Sequence, residues 1–186
     1  MENTGQYAKI YHQINRIKDR EVEENEFHKD WKSRLQYNLD ELNKNDSLLK
    51  NKTFSQLEQK LAKSKLTNLK SKNFKVGLTH GDLCPRNVIV NDTTTYLLDW
   101  GTAEINVVPH TELGILMMSD EVTKETFQLF LKGIGISFIE FQLMEEEINL
   151  LNFLHRLDKY RWAETYDIEN IKDYAFKTRN TFEKIL

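Results

Sequence analysis

The sequence predicts a mainly α-helical fold with one small β-hairpin set into it, an α+β chain read as a single domain over residues 1–186. Three observations carry the prediction. Apolar residues recur at helical spacing through most of the chain. Only two prolines and seven glycines interrupt its 186 residues. One stretch, Leu78 to Gly101, leaves the helical period and places two β-rich runs around a polar turn.

The elements follow in order. Tyr7, Ile10, Tyr11, Ile14 and Ile17 form a stripe that predicts a helix to about Val22. The acidic run Glu21 to Glu26 reads as a solvated helix end or linker. Trp31, Leu35, Leu39 and Leu42 predict a second helix, and polar Asn43 to Asn51 breaks it. Thr53 or Ser55 is placed to cap a third, with Phe54, Leu57 and Leu61 on its inner face. Lysines from Lys60 to Lys75 suit the negative end of a helix dipole. Residues 5–72 therefore read as about three helices. Residues 76–101 hold the hairpin and its loops. The chain from Gly101 to Pro109 reads as irregular. Glu112 to Met118 predicts a short buried helix, and Asp120 to Lys132 another, with Val122, Phe127, Phe130 and Leu131 inward and an end near Gly133. Ser137 and Glu140 match a capping box. They open a long helical region through Leu143, Ile148, Leu151, Leu154 and Leu157, with a break near Glu145. Asp167 is placed to cap a last helix with the stripe Ile168, Ile171, Ala175, Thr178, Phe182 and Ile185.

Composition limits the function. At 39% hydrophobic and 30% charged residues, with ten Phe, seven Tyr and three Trp, the chain has the material for a core. No apolar run approaches the ~20 residues that a membrane-crossing helix needs. The N-terminus lacks the basic and apolar regions of a secretory signal. The single Cys84 excludes an internal disulfide and a cysteine-based zinc site, and reads as a small half-buried residue. Together these point to the cytoplasm. Residues 1–75 hold 16 Lys and Arg against 11 Asp and Glu, and residues 76–186 hold 10 against 18. The net charge thus runs from +5 to −8, and the acidic part carries the hairpin. An acidic surround attracts metal ions or a cationic substrate, or is simply a solvated surface. No basic stripe with interleaved aromatics marks a nucleic-acid partner.

The chemistry concentrates at Asp82, Asn87 and Asp99. Val88-Ile89-Val90 and Thr95 to Leu98 flank the turn Asn91-Asp92-Thr93-Thr94, so a hairpin makes Asn87 and Asp99 neighbours across its ladder. Two oxygen donors side by side, with a third carboxylate nearby, make a site for a hard cation such as Mg²⁺. Phosphoryl transfer needs such a set. One carboxylate orients the acceptor hydroxyl and takes its proton. An amide oxygen and a second carboxylate hold Mg²⁺ on the nucleotide phosphates.

His80-x-Asp82-x4-Asn87 followed by Asp99-Trp100-Gly101 has the arrangement of the protein-kinase pattern H-R-D-x4-N and D-F-G, with Gly81 for the Arg and Trp100 for the Phe. The stretch LTHGDLCPRNVIV with YLLDWG resembles the aminoglycoside phosphotransferase and choline kinase group. Pro109-His110-Thr111-Glu112-Leu113 extends the resemblance, keeping a Pro-to-acid-to-Leu spacing with Glu for the usual Asp. The resemblance covers residues 78–118 and implies the C-terminal lobe of a protein-kinase-like phosphotransferase. It implies Asp82 as catalytic base, Asn87 and Asp99 as metal ligands, His80 as a structural residue of the catalytic loop, and Mg²⁺ with ATP or GTP as phosphate donor. The acceptor is then a small-molecule hydroxyl. Residues 102–186 form the acceptor side, with Glu104, Asp158, Tyr160, Trp162, Glu164 and Asp167 as candidates against ordinary surface charge and core aromatics.

Such proteins carry an N-terminal β-lobe with a phosphate-covering loop and a lysine. Residues 5–72 show no strand alternation, and Gly5 is the one glycine before Gly77. The expectation is a chain that lacks this lobe and acts as a phosphotransferase once a lobe is supplied, by its own gene or by a partner chain or dimer covering the exposed face. The alternative is a catalytically inactive lobe serving as a binding or regulatory module.

Overall fold

The computed structural model describes residues 24–92 and 94–186, with side chains from Lys32 onward. The helix expected from Tyr7 and the contribution of the Trp31 side chain lie outside the described residues. What is described is mainly helical with small antiparallel sheets, as the apolar periodicity predicts. Among these residues no single helix is long and apolar enough to cross a membrane. The chain divides into two compact units, one of residues 28–73 and 149–186, the other built around residues 74–148.

In the first unit, helix α1 (Glu24–Glu41) buries Leu35 and Leu39. The polar stretch after it is not simply a break. Asp46 accepts the Leu48 amide and starts a one-turn helix α2 (Ser47–Lys50) that buries Leu48. Helix α3 (Gln56–Thr67) opens with a capping box, in which Ser55 and Glu58 satisfy each other's backbone amides. Its inner face is Gln59, Ala62 and Leu66, whereas Leu57 and Leu61 are exposed, a correction to the expected stripe. Phe54, before the cap, is the residue that enters the core, against Phe153 and Phe182 with ring centroids 6.2 and 5.0 Å away. Beneath this packing, Asp46 also takes Arg161 Nη1 at 2.7 Å and Gln59 Nε2 at 3.1 Å.

The second unit holds two two-stranded antiparallel sheets. Strands β1 (Val76–Thr79) and β4 (Glu104–Val107) pair from Val76 with Val107 to Thr79 with Glu104. Strand β4 corrects the expectation of irregular chain from Gly101 to Pro109. Four residues carry too little alternation to announce a strand whose partner is about 28 positions upstream. Strands β2 (Val88–Val90) and β3 (Thr95–Leu97) form the expected hairpin.

Helices α4 (His110–Met118) and α5 (Lys124–Ile134) follow, and α6 (Phe138–Tyr166) begins with the expected Ser137–Glu140 capping box. Leu83, Leu113, Leu116, Phe130, Leu131, Ile134, Phe141 and Ile148 form one buried cluster. Helix α5 ends at Gly135, not Gly133. Gly135 has φ 76°, and the Ile136 amide bonds back to the Leu131 carbonyl, which closes the helix in a turn that favours glycine. Helix α6 shows no break at Glu145, and its Leu143 is exposed. Of the last stripe, Ala175, Thr178, Phe182 and Ile185 are buried around helix α7 (Ile171–Glu183), while Ile168 is exposed. Asp167 caps nothing with its side chain, which accepts from Asn170 Nδ2 and the Tyr174 hydroxyl instead.

Candidate active site

Strand β1 delivers the loop His80 to Asn87, and the reason for Gly81 is spatial. Gly81 has φ 79°, and a Cβ there would lie 2.2 Å from the Thr102 carbonyl oxygen. The loop therefore lies directly on the turn that follows Asp99. Thr102 Oγ1 donates to the His80 carbonyl at 3.0 Å and ties the two segments together.

His80 is buried and spends both ring nitrogens on the backbone. Nε2 lies 2.7 Å from the Leu98 carbonyl, which can only accept, so that nitrogen carries the proton. Nδ1 then accepts the Asp82 amide at 3.3 Å. Trp100 packs edge-on against the ring, with centroids 4.9 Å apart. The imidazole thus bridges the loop to the exit of the hairpin. Glu112, on the first turn of α4, holds the loop from below. Its Oε1 accepts the His80 amide and, at 3.3 Å, the Gly81 amide. Glu112 is buried, and its Oε2 has no partner. Burial pushes this carboxyl up to about 7 against the pull of the two amides, with a smaller push from the Asp82 charge.

Asn87 and Asp82 meet directly. Asn87 Nδ2 donates to the Asp82 carbonyl at 2.8 Å and to Asp82 Oδ2 at 2.9 Å. The Asn87 carbonyl accepts the Leu98 amide at 2.8 Å, which extends the hairpin ladder by one pair. Asn87 therefore lies opposite Leu98, and Asp99 is the next residue outward, one position off the direct pairing expected. Asp99 is exposed and adopts a left-handed backbone at φ 58° and ψ 65°, a conformation costing on the order of 1 kcal/mol in a residue with a Cβ. Trp100 Nε1 bonds to the Leu97 carbonyl at 3.0 Å and fixes the turn beyond it. With Nδ2 committed to Asp82, Asn87 Oδ1 is left as an oxygen donor.

Two residues that the sequence reading did not single out complete the loop. Arg86 Nη2 lies 2.7 and 2.9 Å from the two oxygens of Asp82. Arg86 Nη1 reaches Glu121 Oε1 at 2.8 Å, and its backbone amide meets Glu121 Oε2 at 3.3 Å. The Glu121 and Asp82 carboxylates raise the guanidinium's hold on its proton. Cys84 is buried, its Sγ 3.3 Å from the Asp82 carbonyl, and burial followed by the Asp82 charge keeps it a thiol.

The acceptor-side candidates have separate surroundings. Glu104, at the start of β4, is exposed and accepts from Asn106 Nδ2. In the other unit, Asp158 accepts from Asn38 and lies 3.6 Å from Arg34 Nε. Tyr160 is buried with its hydroxyl on Asn51 Nδ2. Trp162 packs on Tyr166, and Glu164 lies 3.5 Å from Arg161.

The sequence model of a family described as "Phosphotransferase enzyme family" (APH) matches residues 2–146. No curated protein and no solved structure matches the chain. The matched span takes in the whole of the loop, the hairpin and the buried Glu112 beneath them, and on that ground the chain belongs to the phosphotransferase enzyme family.

Proposed function

We propose that this chain is the C-terminal lobe of an ATP- or GTP-dependent phosphotransferase of the aminoglycoside phosphotransferase kind, transferring the terminal phosphate to a small-molecule hydroxyl. The observation that carries the reading is the joint anchoring of Asp82 and Asn87, one hydrogen bond apart, to the hairpin end that bears Asp99. Asp82 is the base that orients the acceptor hydroxyl and receives its proton. His80 and Glu112 keep the Asp82 backbone in place through bonds to main-chain groups.

The residues fit Mg²⁺. Among the described residues no group of three or more His, Cys, Asp or Glu is placed to hold a metal by itself. Mg²⁺ does not need one, because it commonly takes one or two protein oxygens and fills its octahedron with water and substrate phosphate. Asn87 Oδ1 and the Asp99 carboxylate would hold it. When bound, the ion neutralises charge on the phosphates. Beside this pair, Ile89 and Tyr96 face each other across the hairpin and, with Leu98, are about half exposed. That apolar surface suits one face of a purine ring. No β-lobe occurs among the described residues, and a covering lobe from another segment or a partner chain is part of the proposal.

One observation favours a second reading, an inactive lobe used as a binding module: Arg86 lies across both oxygens of Asp82. Titration calorimetry with Mg–ATP and Mg–GTP separates the two. The phosphotransferase reading expects saturable, Mg²⁺-dependent binding that Asp99→Ala abolishes. Absence of binding, with a β-lobe supplied as well as without, overturns it.

A further inference from the structure

Arg86 is the sole Arg or Lys between Lys75 and Lys124, so the catalytic loop, the hairpin and helix α4 share one permanent positive charge. That charge is half exposed and is held at two places. An ionised carboxylate offers about four acceptor positions. At Asp82, Oδ1 receives Arg86 Nη2 at 2.7 Å, and Oδ2 receives Nη2 at 2.9 Å and Asn87 Nδ2 at 2.9 Å. Three of the four positions are taken, since the single Cys84 proton goes to the nearer Asp82 carbonyl at 3.3 Å. An acceptor hydroxyl must share both oxygens with Nη2 while it stays, and its departure frees one position on each oxygen.

Arg86 can leave without losing its place. Its backbone amide stays on Glu121 Oε2 in any rotamer, and Nη1 has its own partner in Glu121 Oε1. What would draw Nη2 from a carboxylate is an oxyanion of higher charge, and the guanidinium fork matches phosphate oxygens. We propose that Arg86 is a two-position residue, on Asp82 before nucleotide binds and on the terminal phosphates of the bound nucleotide, so that the base opens fully to the acceptor once the donor has arrived. This inference rests on the phosphotransferase reading of the same loop.

The test uses the full chain with Mg–ATP and Mg–AMP as probes. In wild type, the Arg86 Nε–Hε NMR signal, assigned by its loss in Arg86→Met, is expected to shift on addition of Mg–ATP and to stay put with Mg–AMP. By calorimetry, Arg86→Met is expected to raise the Kd for Mg–ATP about tenfold, the scale of one charge-assisted hydrogen bond, and to leave Mg–AMP unchanged. Arg86→Lys should recover part of the loss, since it keeps the charge without the fork. An unmoved Arg86 signal in a wild-type chain that binds Mg–ATP overturns the proposal and leaves the phosphotransferase reading standing. Equal weakening of both nucleotides in Arg86→Met likewise assigns Arg86 a purely structural role. A wild-type chain that binds neither nucleotide, with a β-lobe supplied as well as without, overturns both.

Discussion

Replacing Glu112 by glutamine removes a titration while keeping a shape. Glu112 Oε1 accepts the His80 and Gly81 amides, and the carbonyl oxygen of a glutamine side chain can do the same. The difference lies in charge. Burial raises the folded-state carboxyl from 4.5 to about 7. Below pH 4.5 the group is protonated in both folded and unfolded chains, and its contribution to stability is complete. Between pH 4.5 and 7 the unfolded chain releases the proton while the folded chain retains it, so stability falls as pH rises. At about 1.4 kcal/mol per pH unit, the window corresponds to roughly 3 kcal/mol. In Glu112→Gln the amide nitrogen takes the place of the unpartnered Oε2, at a cost of about 1–3 kcal/mol that does not depend on pH. Urea unfolding followed by tryptophan fluorescence at pH 5, 6, 7 and 8 measures both effects. The variant is expected to be less stable than wild type at pH 5 and to equal or exceed it at pH 8. Parallel pH profiles for the two proteins between pH 5 and 7 would refute the assignment of a buried, proton-retaining carboxyl beneath the loop.

Two further substitutions probe the frame around the site. Gly81→Ala puts a Cβ 2.2 Å from the Thr102 carbonyl oxygen at a positive φ, so it should cost on the order of 3 kcal/mol in urea unfolding and weaken Mg–nucleotide binding with it. Asp46→Ala removes the nearer carboxylate of the buried Arg161 guanidinium and leaves it Glu164 at 3.5 Å, so it should cost about 3 kcal/mol in the same assay, the lower end for breaking a buried ion pair, with Asp46→Asn milder because the Leu48 cap survives.

Local signals in the sequence carried over where the interaction itself is local. The Ser55–Glu58 and Ser137–Glu140 boxes span three residues each, and both form. The hairpin turn likewise specifies its own two strands. Features made by distant partners were not legible. Strand β4 exists because β1 offers it a ladder, and neither strand alone has a distinctive period. Leu57 and Leu61 have helical spacing, yet the face that packs begins with Gln59, because its amide nitrogen reaches Asp46 and the Asn43 carbonyl. At the site, the order of His80, Asp82, Asn87 and Asp99 in the chain announced a loop that meets the end of the hairpin. The Arg86–Glu121 pair did not announce itself, since its members lie 35 residues apart and each reads as surface charge. Glu112 was visible only as a spacing, and its task of holding two loop amides emerges from the placement of α4 under the loop.

The central claim is that Asn87 and Asp99 jointly hold the metal of a bound nucleotide. Paramagnetic Mn²⁺ in place of Mg²⁺ tests it most directly. With ATP present, a small amount of Mn²⁺ should broaden the Asn87 side-chain amide and the Asp99 to Gly101 backbone signals first, and Asp99→Ala should remove that selectivity. Broadening centred elsewhere in the chain, or none in the presence of ATP, would contradict the account.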